Sequence, residues 1–162
     1  MHRKTPDEAF LKICKVFNRR GVEYVVIGGF AMIIHGLPRT TIDIDFFVNS
    51  SPDNIGKIKD SLKEVFNDEE IEGILPSDVS EYSVIRYGTP DGFYIDLIGN
   101  LGEAFKFDDF KSHIEIFEIN HIDIPVCDVK MLIKMKQTVR TKDMADIEFL
   151  QEKLRQKKGI NY

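Results

Sequence analysis

Asp43 and Asp45 are separated by one isoleucine in Thr41-Ile-Asp-Ile-Asp-Phe-Phe-Val48. On an extended strand, residues two apart point to the same face, with Cα atoms roughly 6.5–7 Å apart. Two carboxylates so placed can converge on divalent cations, which take hard oxygen ligands. Like charges on one face repel, so a cation or a basic group is the expected compensation. A third acid, Asp96, sits in Tyr94-Ile-Asp-Leu-Ile98 with apolar neighbours on both sides. That pattern predicts a strand inside a sheet, where an unpaired carboxylate is hard to accommodate. Three strand-borne carboxylates could hold two magnesium ions about 3.5–4 Å apart, the arrangement that clamps the attacking and leaving oxygens in phosphoryl-type transfer. An Asp-x-Asp pair alone also occurs in surface turns and in glycosyltransferases that bind nucleotide sugars through metal. Asp96 taken alone also reads as the structural partner of an arginine.

Gly28-Gly29 supplies a complementary part. A Gly-Gly turn between a strand and a short helix lets backbone N–H groups approach phosphate oxygens with no Cβ in the way. The sequence has neither the Lys-Ser/Thr of a Walker A loop nor a GxGxxG, which argues against P-loop or Rossmann binding.

These residues need elements to position them, and the chain reads as alternating helices and strands without repeats or linkers. Thr5 as N-cap, Pro6 in the first turn and Glu8 three residues after the cap open the first helix. Its apolar positions Phe10, Ile13, Cys14 and Phe17 keep helical spacing, and Asn18 to Gly21 end it. Tyr24 to Ile27 is a short buried strand, and Phe30 to His35 a short helix closed by Gly36 and Pro38. Thr41 to Val48 alternates as a strand, with Ile42, Ile44, Phe46 and Val48 on one side and the two aspartates on the other. Ser51-Pro52 opens a helix running to about Asn67, followed by an acidic, irregular stretch at 68–80 in which Asp68, Glu69, Glu70 and Glu72 read as an exposed loop. Thr89-Pro-Asp-Gly92 joins Tyr82–Tyr87 and Phe93–Ile98 into a hairpin. A second pair of strands, Ile114–Ile119 and Ile122–Val126, turns at Asn120-His121, and two helices follow Asp128 and Thr141. His35 is expected as a packed, hydrogen-bonded core residue, and His113 and His121 as hairpin and loop residues. The expected architecture is α/β (α+β), a mixed sheet flanked by helices. Back-to-back hairpins argue against a purely parallel sheet.

Composition bounds the rest. The chain has 162 residues, 43% hydrophobic and 30% charged, with 17 Phe and Tyr and a net charge of −5, which suits an ordered domain with a real core. One domain spanning 1–162 is expected, with a core at about 22–127 and a C-terminal helical segment at 128–158. The longest apolar stretch, Tyr24–Ile34, has 11 residues, against roughly 20 needed to span a bilayer. The N-terminus has no apolar signal region. Cys14 and Cys127 form no metal-binding cluster and read as buried thiols of a reduced, cytoplasmic protein, with a structural zinc site not expected. Residues 1–127 hold 13 basic and 22 acidic side chains, and residues 128–162 hold 9 and 5. An acidic body that takes cations and a basic tail that takes polyanions is one reading; two solvated faces is the other.

Residues 25–48, VVIGGFAMIIHGLPRTTIDIDFFV, resemble the signature of the nucleotidyltransferase superfamily whose fold is shared with DNA polymerase beta. The pattern is a hydrophobic strand, Gly-Gly or Gly-Ser, a short helix, then Asp-x-Asp, with a later strand aspartate. Gly28, Gly29, Asp43, Asp45 and Asp96 match it. The tail DVKMLIKMKQTVRTKDMADIEFLQEK is similar to the ending of small bacterial members grouped with abortive-infection, AbiEii-type nucleotidyltransferase toxins, at Leu132, Ile133, Met135, Lys136, Arg140, Lys142, Asp143 and Asp146. The resemblance runs from about residue 22 to 154. Gly29 departs from the serine of many superfamily members, as in several small branches.

The resemblance implies a nucleotidyltransferase fold and transfer of a nucleoside monophosphate from an NTP to an acceptor, with release of pyrophosphate. Asp43 and Asp45 would bind metal, two Mg2+ (or Mn2+) ions in all. Asp96 would bind one of them and help deprotonate the acceptor, and Gly28 and Gly29 would cradle the triphosphate. Lys136 and Arg140, four apart on one helical face, and Arg39 just before the Asp-x-Asp strand are further candidates for phosphate contact; a solvated face is the plain alternative for the first two. Asp143 and Asp146 read as ion-pair or capping residues. The expected acceptor is RNA (tRNA), as in toxin-like members, or a small molecule such as an antibiotic, with an antitoxin or other helical partner. The competing expectation is a non-catalytic nucleotide-binding or antitoxin-like interaction protein that keeps the fold.

Overall fold

The computed structural model describes residues 3–37, 40–76, 84–101, 105–139 and 150–156. Helix α1 (Pro6–Arg20) starts where Thr5 Oγ1 accepts the Glu8 amide at 3.2 Å, and ends at Gly21, whose φ of 71° suits a left-handed cap. Strand β1 (Tyr24–Ile27) runs directly into the short helix α2 (Gly28–Ile34), and β2 (Ile44–Val48) follows. Helix α3 (Pro52–Phe66) is capped by Ser51, whose Oγ accepts the Asn54 amide at 3.2 Å. Strands β3 (Val84–Gly88) and β4 (Tyr94–Ile98) form the first hairpin. A two-residue pair, β5 (Asn100–Leu101) and β6 (Phe105–Lys106), leads into a 3-10 turn at Phe107–Phe110. The second hairpin is β7 (Ile114–Ile119) and β8 (Ile122–Cys127), then α4 (Val129–Val139), whose Met131 amide donates to Asp128 Oδ1 at 2.9 Å. Residues 150–156 are helical.

The six long strands form one mixed sheet in the order β3-β4-β2-β1-β8-β7, so the expected mixed α/β class holds. β1 pairs antiparallel with β2 and parallel with β8, while β2 pairs parallel with β4. Side-chain alternation then divides the sheet. Phe46 meets Phe17 of α1 edge-on at 5.2 Å, and Tyr87 meets Phe66 of α3, so even positions of β2 and odd positions of β3 and β4 face the helices α1 and α3. Phe47 packs against the tilted ring of Phe110, centroids 4.3 Å apart, on the opposite face. Asp45, Asp96 and Arg86 share that second face.

Several boundaries differ from the sequence reading. α2 begins at Gly28, not Phe30. β2 begins at Ile44: β1 ends opposite Asp45, so residues 41–43 have no antiparallel partner there, and Ile42 is 63% exposed where alternation put it inside. Asp43 therefore lies just before the strand. The acidic stretch is a 3-10 turn at Glu69–Gly73 in place of an open loop, because Asp68 caps it, Ile71 is buried, and Glu72 pairs with Lys63 and Lys59 of α3. His35 is buried in the core, its Nε2 2.9 Å from the Cys127 carbonyl oxygen, as expected. His113 precedes β7 beside Asp128, and His121 lies in the β7–β8 turn. Cys14 and Cys127 are free and buried.

Candidate active site

The site is built where β1 stops and its neighbours continue. Strand register sets Ile27 opposite Asp45, Asp45 beside Asp96, and Asp96 opposite Arg86. Three adjacent strands thus bring two carboxylates and a guanidinium into one row, and Asp43 joins them from the segment leading into β2. Arg86 Nε donates to Asp96 Oδ1 at 2.9 Å and its Nη2 donates to Oδ2 at 3.1 Å, a two-pronged charge-assisted pair. The same Nη2 lies 3.5 Å from Asp43 Oδ2.

The glycines have a specific packing reason. Gly28 has φ +67°, and a Cβ there would overlap Asp45 Oδ2. At Gly29 a Cβ would stand 2.9 Å from Thr41 Oγ1, which itself donates to the Asp43 carbonyl oxygen at 3.2 Å. The β1–α2 turn therefore closes directly onto the Asp-x-Asp segment: Gly28 lies against the Asp45 carboxylate, where its left-handed backbone and the space exclude a side chain, and Gly29 lies against Thr41.

Electrostatics follow from this crowding. Burial, then hydrogen bonding with Asp96 and the charges of Asp96 and Asp43, pushes the Asp45 carboxyl up to about 7, with Arg86 pulling the other way. Arg86 is held still more firmly protonated, chiefly by its bond to Asp96. Its side chain is 53% exposed while that of Asp96 is 9% exposed, so the guanidinium covers the acid from the solvent side. Among the described residues, Asp43 Oδ1 is buried without a hydrogen-bond partner.

An orphaned, buried carboxylate oxygen next to a second carboxylate is donor chemistry that fits a hard divalent cation. As the side chains stand, no three His, Cys, Asp or Glu among the described residues close on one metal position, and Arg86 donates to both oxygens of Asp96. Asp43, Asp45, Asp96, Gly28 and Gly29 are thus brought together. Lys136 is a half-buried residue of α4. Arg39, Arg140, Lys142, Asp143 and Asp146 lie outside the described residues. Sequence reasoning missed Arg86 by name. The turn alone did not reveal it: a Thr89–Gly92 loop would set Arg86 against Ile95, whereas the Thr89 amide donates to the Phe93 carbonyl at 2.9 Å, so the loop is Pro90–Gly92 and the shift of one residue brings Arg86 opposite Asp96.

A mixed sheet with Gly-Gly at the end of one strand and aspartates on the next two is the architecture of a nucleotidyltransferase. The profile of the family described as nucleotidyl transferase AbiEii toxin, Type IV TA system, matches residues 17–157, and the chain belongs to that family and is a nucleotidyltransferase. The fold is similar to a candidate nucleotidyltransferase from Thermotoga maritima (TM-score 0.55, 17% identity, covering 96% of this chain and 98% of that one). It is also similar to the lincosamide antibiotic adenylyltransferase LnuA with lincomycin bound (TM-score 0.59, 14% identity, 93% and 98%). A third likeness is to ANT(2")-Ia in complex with adenylyl-2"-tobramycin (TM-score 0.52, 14% identity, 91% and 90%). At these identities the likeness establishes the fold. No curated protein matches the chain significantly in sequence. Among the described residues, no helix is long and apolar enough to cross a membrane.

Proposed function

We propose that the chain moves a nucleoside monophosphate from an NTP to an acceptor, releasing pyrophosphate, at the site formed by Gly28, Gly29, Asp43, Asp45 and Asp96. The observation that carries the reading is the closure of the Gly28-Gly29 turn onto Asp45 and Thr41, which sets a side-chain-free backbone beside an acidic pair. The backbone at Gly28 and Gly29 receives the triphosphate, and Asp43 and Asp45 hold a divalent cation, Mg2+ or Mn2+. When bound, that cation supplies Lewis-acid stabilisation of charge on the transferring phosphoryl group. Asp45, lying against Gly28, fixes the distance between the acidic pair and the phosphate turn. Arg39, Lys136 and Arg140 add positive charge against the phosphates. The whole chain, 1–162, acts as one domain in the cytoplasm, where NTPs are abundant and its two buried thiols stay reduced.

The acceptor is RNA of tRNA size. The family's description as a toxin and the basic segment 128–162 support this choice; an antitoxin is then the expected protein partner. The antibiotic substrates named for LnuA and ANT(2")-Ia favour a small cationic acceptor as the second reading, for which the acidic body is the better match. Incubation of total bacterial RNA with each α-phosphate-labelled NTP and magnesium distinguishes them. Label in a tRNA-sized band, absent with Asp43→Asn, is the expected result. Thermal stabilisation by NTP and magnesium without labelled RNA points to the small acceptor. Neither labelling nor stabilisation sinks the enzymatic reading in favour of a non-catalytic interaction protein.

A further inference from the structure

We propose that Arg86 stands in for one of the two metal ions that three carboxylates would otherwise gather, so that this site takes a single divalent cation, at Asp43 and Asp45. This rests on the metal-dependent reading above and sharpens it.

The guanidinium is held from two sides. Both oxygens of Asp96 accept from it, at 2.9 and 3.1 Å, and its carbon lies 4.7 Å from the centre of the Tyr94 ring. That ring in turn lies over Gly88, where an added Cβ would come within 3.4 Å of it. Arg86, Gly88, Tyr94 and Asp96 all belong to the β3–β4 hairpin, whose register pairs Arg86 with Asp96 and Gly88 with Tyr94. The backbone ladder sets Arg86 opposite Asp96, and the two hydrogen bonds and the Tyr94 ring hold its guanidinium there although half of the side chain is exposed. A cation reaching Asp96 would have to displace two charge-assisted hydrogen bonds and lie beside a fixed positive charge. The other half of the cluster offers the opposite: among the described residues Asp43 Oδ1 is buried without a hydrogen-bond partner, and Arg86 approaches Asp43 at its other oxygen, at 3.5 Å. Charge is then shared between a permanent guanidinium on Asp96 and one exchangeable cation on the Asp-x-Asp pair. Arg86 is a positioning residue that decides how many ions the site admits.

The test is titration of the metal-free full chain with Mn2+ alone, counting bound ions from the loss of the free-ion paramagnetic resonance signal. Wild type is expected to bind one Mn2+ per chain. Asp96→Asn is expected to keep that one ion with less than about a threefold change in affinity, whereas Asp43→Asn loses it. Arg86→Gln, checked for folding by circular dichroism, is expected to bind two. If Arg86→Gln does not fold, Asp96→Asn carries the test. Two ions on the wild type, or loss of Mn2+ binding in Asp96→Asn, overturns this inference and leaves the metal-dependent reading standing. No binding to wild type at millimolar Mn2+ overturns both.

Discussion

Two clusters in this molecule set arginine against carboxylate, and they behave in opposite ways. On the helical side, Arg19 and Arg20 of α1 both reach Glu64 of α3, in open solvent. Their hydrogen bonds draw the Glu64 carboxyl down to about 2. On the other face of the sheet, Arg86 serves a group of three aspartates, yet Asp45 is pushed up to about 7. Among the described residues one guanidinium is paired with these three acids, and burial magnifies the deficit because the sheet removes the water that would screen it. An exposed ion cluster with enough cations is a fastening of modest worth. A buried one short of cations has an opening for a ligand.

The largest effect expected from breaking this contrast is on turnover. Asp45→Asn removes a cluster carboxylate while keeping its shape, and nucleotidyl transfer should fall at least about a hundredfold, the scale seen on losing even an outer partner of a metal ligand. Label-transfer rates measured beside circular dichroism check it; a folded variant with unchanged rate would remove Asp45 from the mechanism.

Gly28→Ala should be next. The new Cβ meets the Asp45 carboxylate and the backbone stays at φ +67°, so a loss of about 1–3 kcal/mol is expected, seen as a melting temperature lower by several degrees. Gly56→Ala on α3, where an added Cβ meets nothing within 4 Å, is the matched control and should not destabilise.

The pH dependence of stability comes third. The unfolded chain releases the Asp45 proton near 3.8, whereas the folded protein keeps it up to about 7. Between those values the folded state binds more protons, so its stability declines as pH rises through that window and is lowest above it. In chelator, Asp45→Asn should abolish this decline and be the more stable protein at pH 8, by about 1–2 kcal/mol. Urea melts at pH 5 and pH 8 decide the matter, and a wild-type stability that rises across the window would refute it.

The smallest effect belongs to the exposed cluster. Glu64→Gln should shift the melting temperature little, and the residual shift should vanish in 1 M salt, where exposed pairs are screened. A large, salt-resistant loss would mean that the α1–α3 fastening resembles the buried cluster after all.

Much of this was legible because it is local. Thr5, Pro6 and Glu8 start α1, Ser51-Pro52 starts α3, and Thr89–Gly92 and Asn120-His121 turn the two hairpins. Each depends on side chains within four residues of one another. The acidic pair and Gly28-Gly29 were legible by type and spacing. Boundaries governed by distant partners were not: β2 starts at Ile44, where pairing with Ile95 of β4 begins and just beyond the end of β1 opposite Asp45, which no periodicity within 41–48 encodes. The 3-10 turn at Glu69–Gly73 escaped for the same reason, since Lys59 and Lys63 of α3 hold Glu72.

The sequence by itself determined which groups are available: three aspartates flanked by apolar residues, a Gly-Gly step after a strand, and a hairpin turn at Thr89–Gly92. Only the tertiary structure decided how they meet. The parallel pairing of β2 with β4 joins residues about fifty positions apart and sets Asp45 beside Asp96. Closure of the β1–α2 turn then presses Gly28 onto Asp45. A carboxylate's character depends on the water it loses and the charges it gains, and both come from segments remote in the chain.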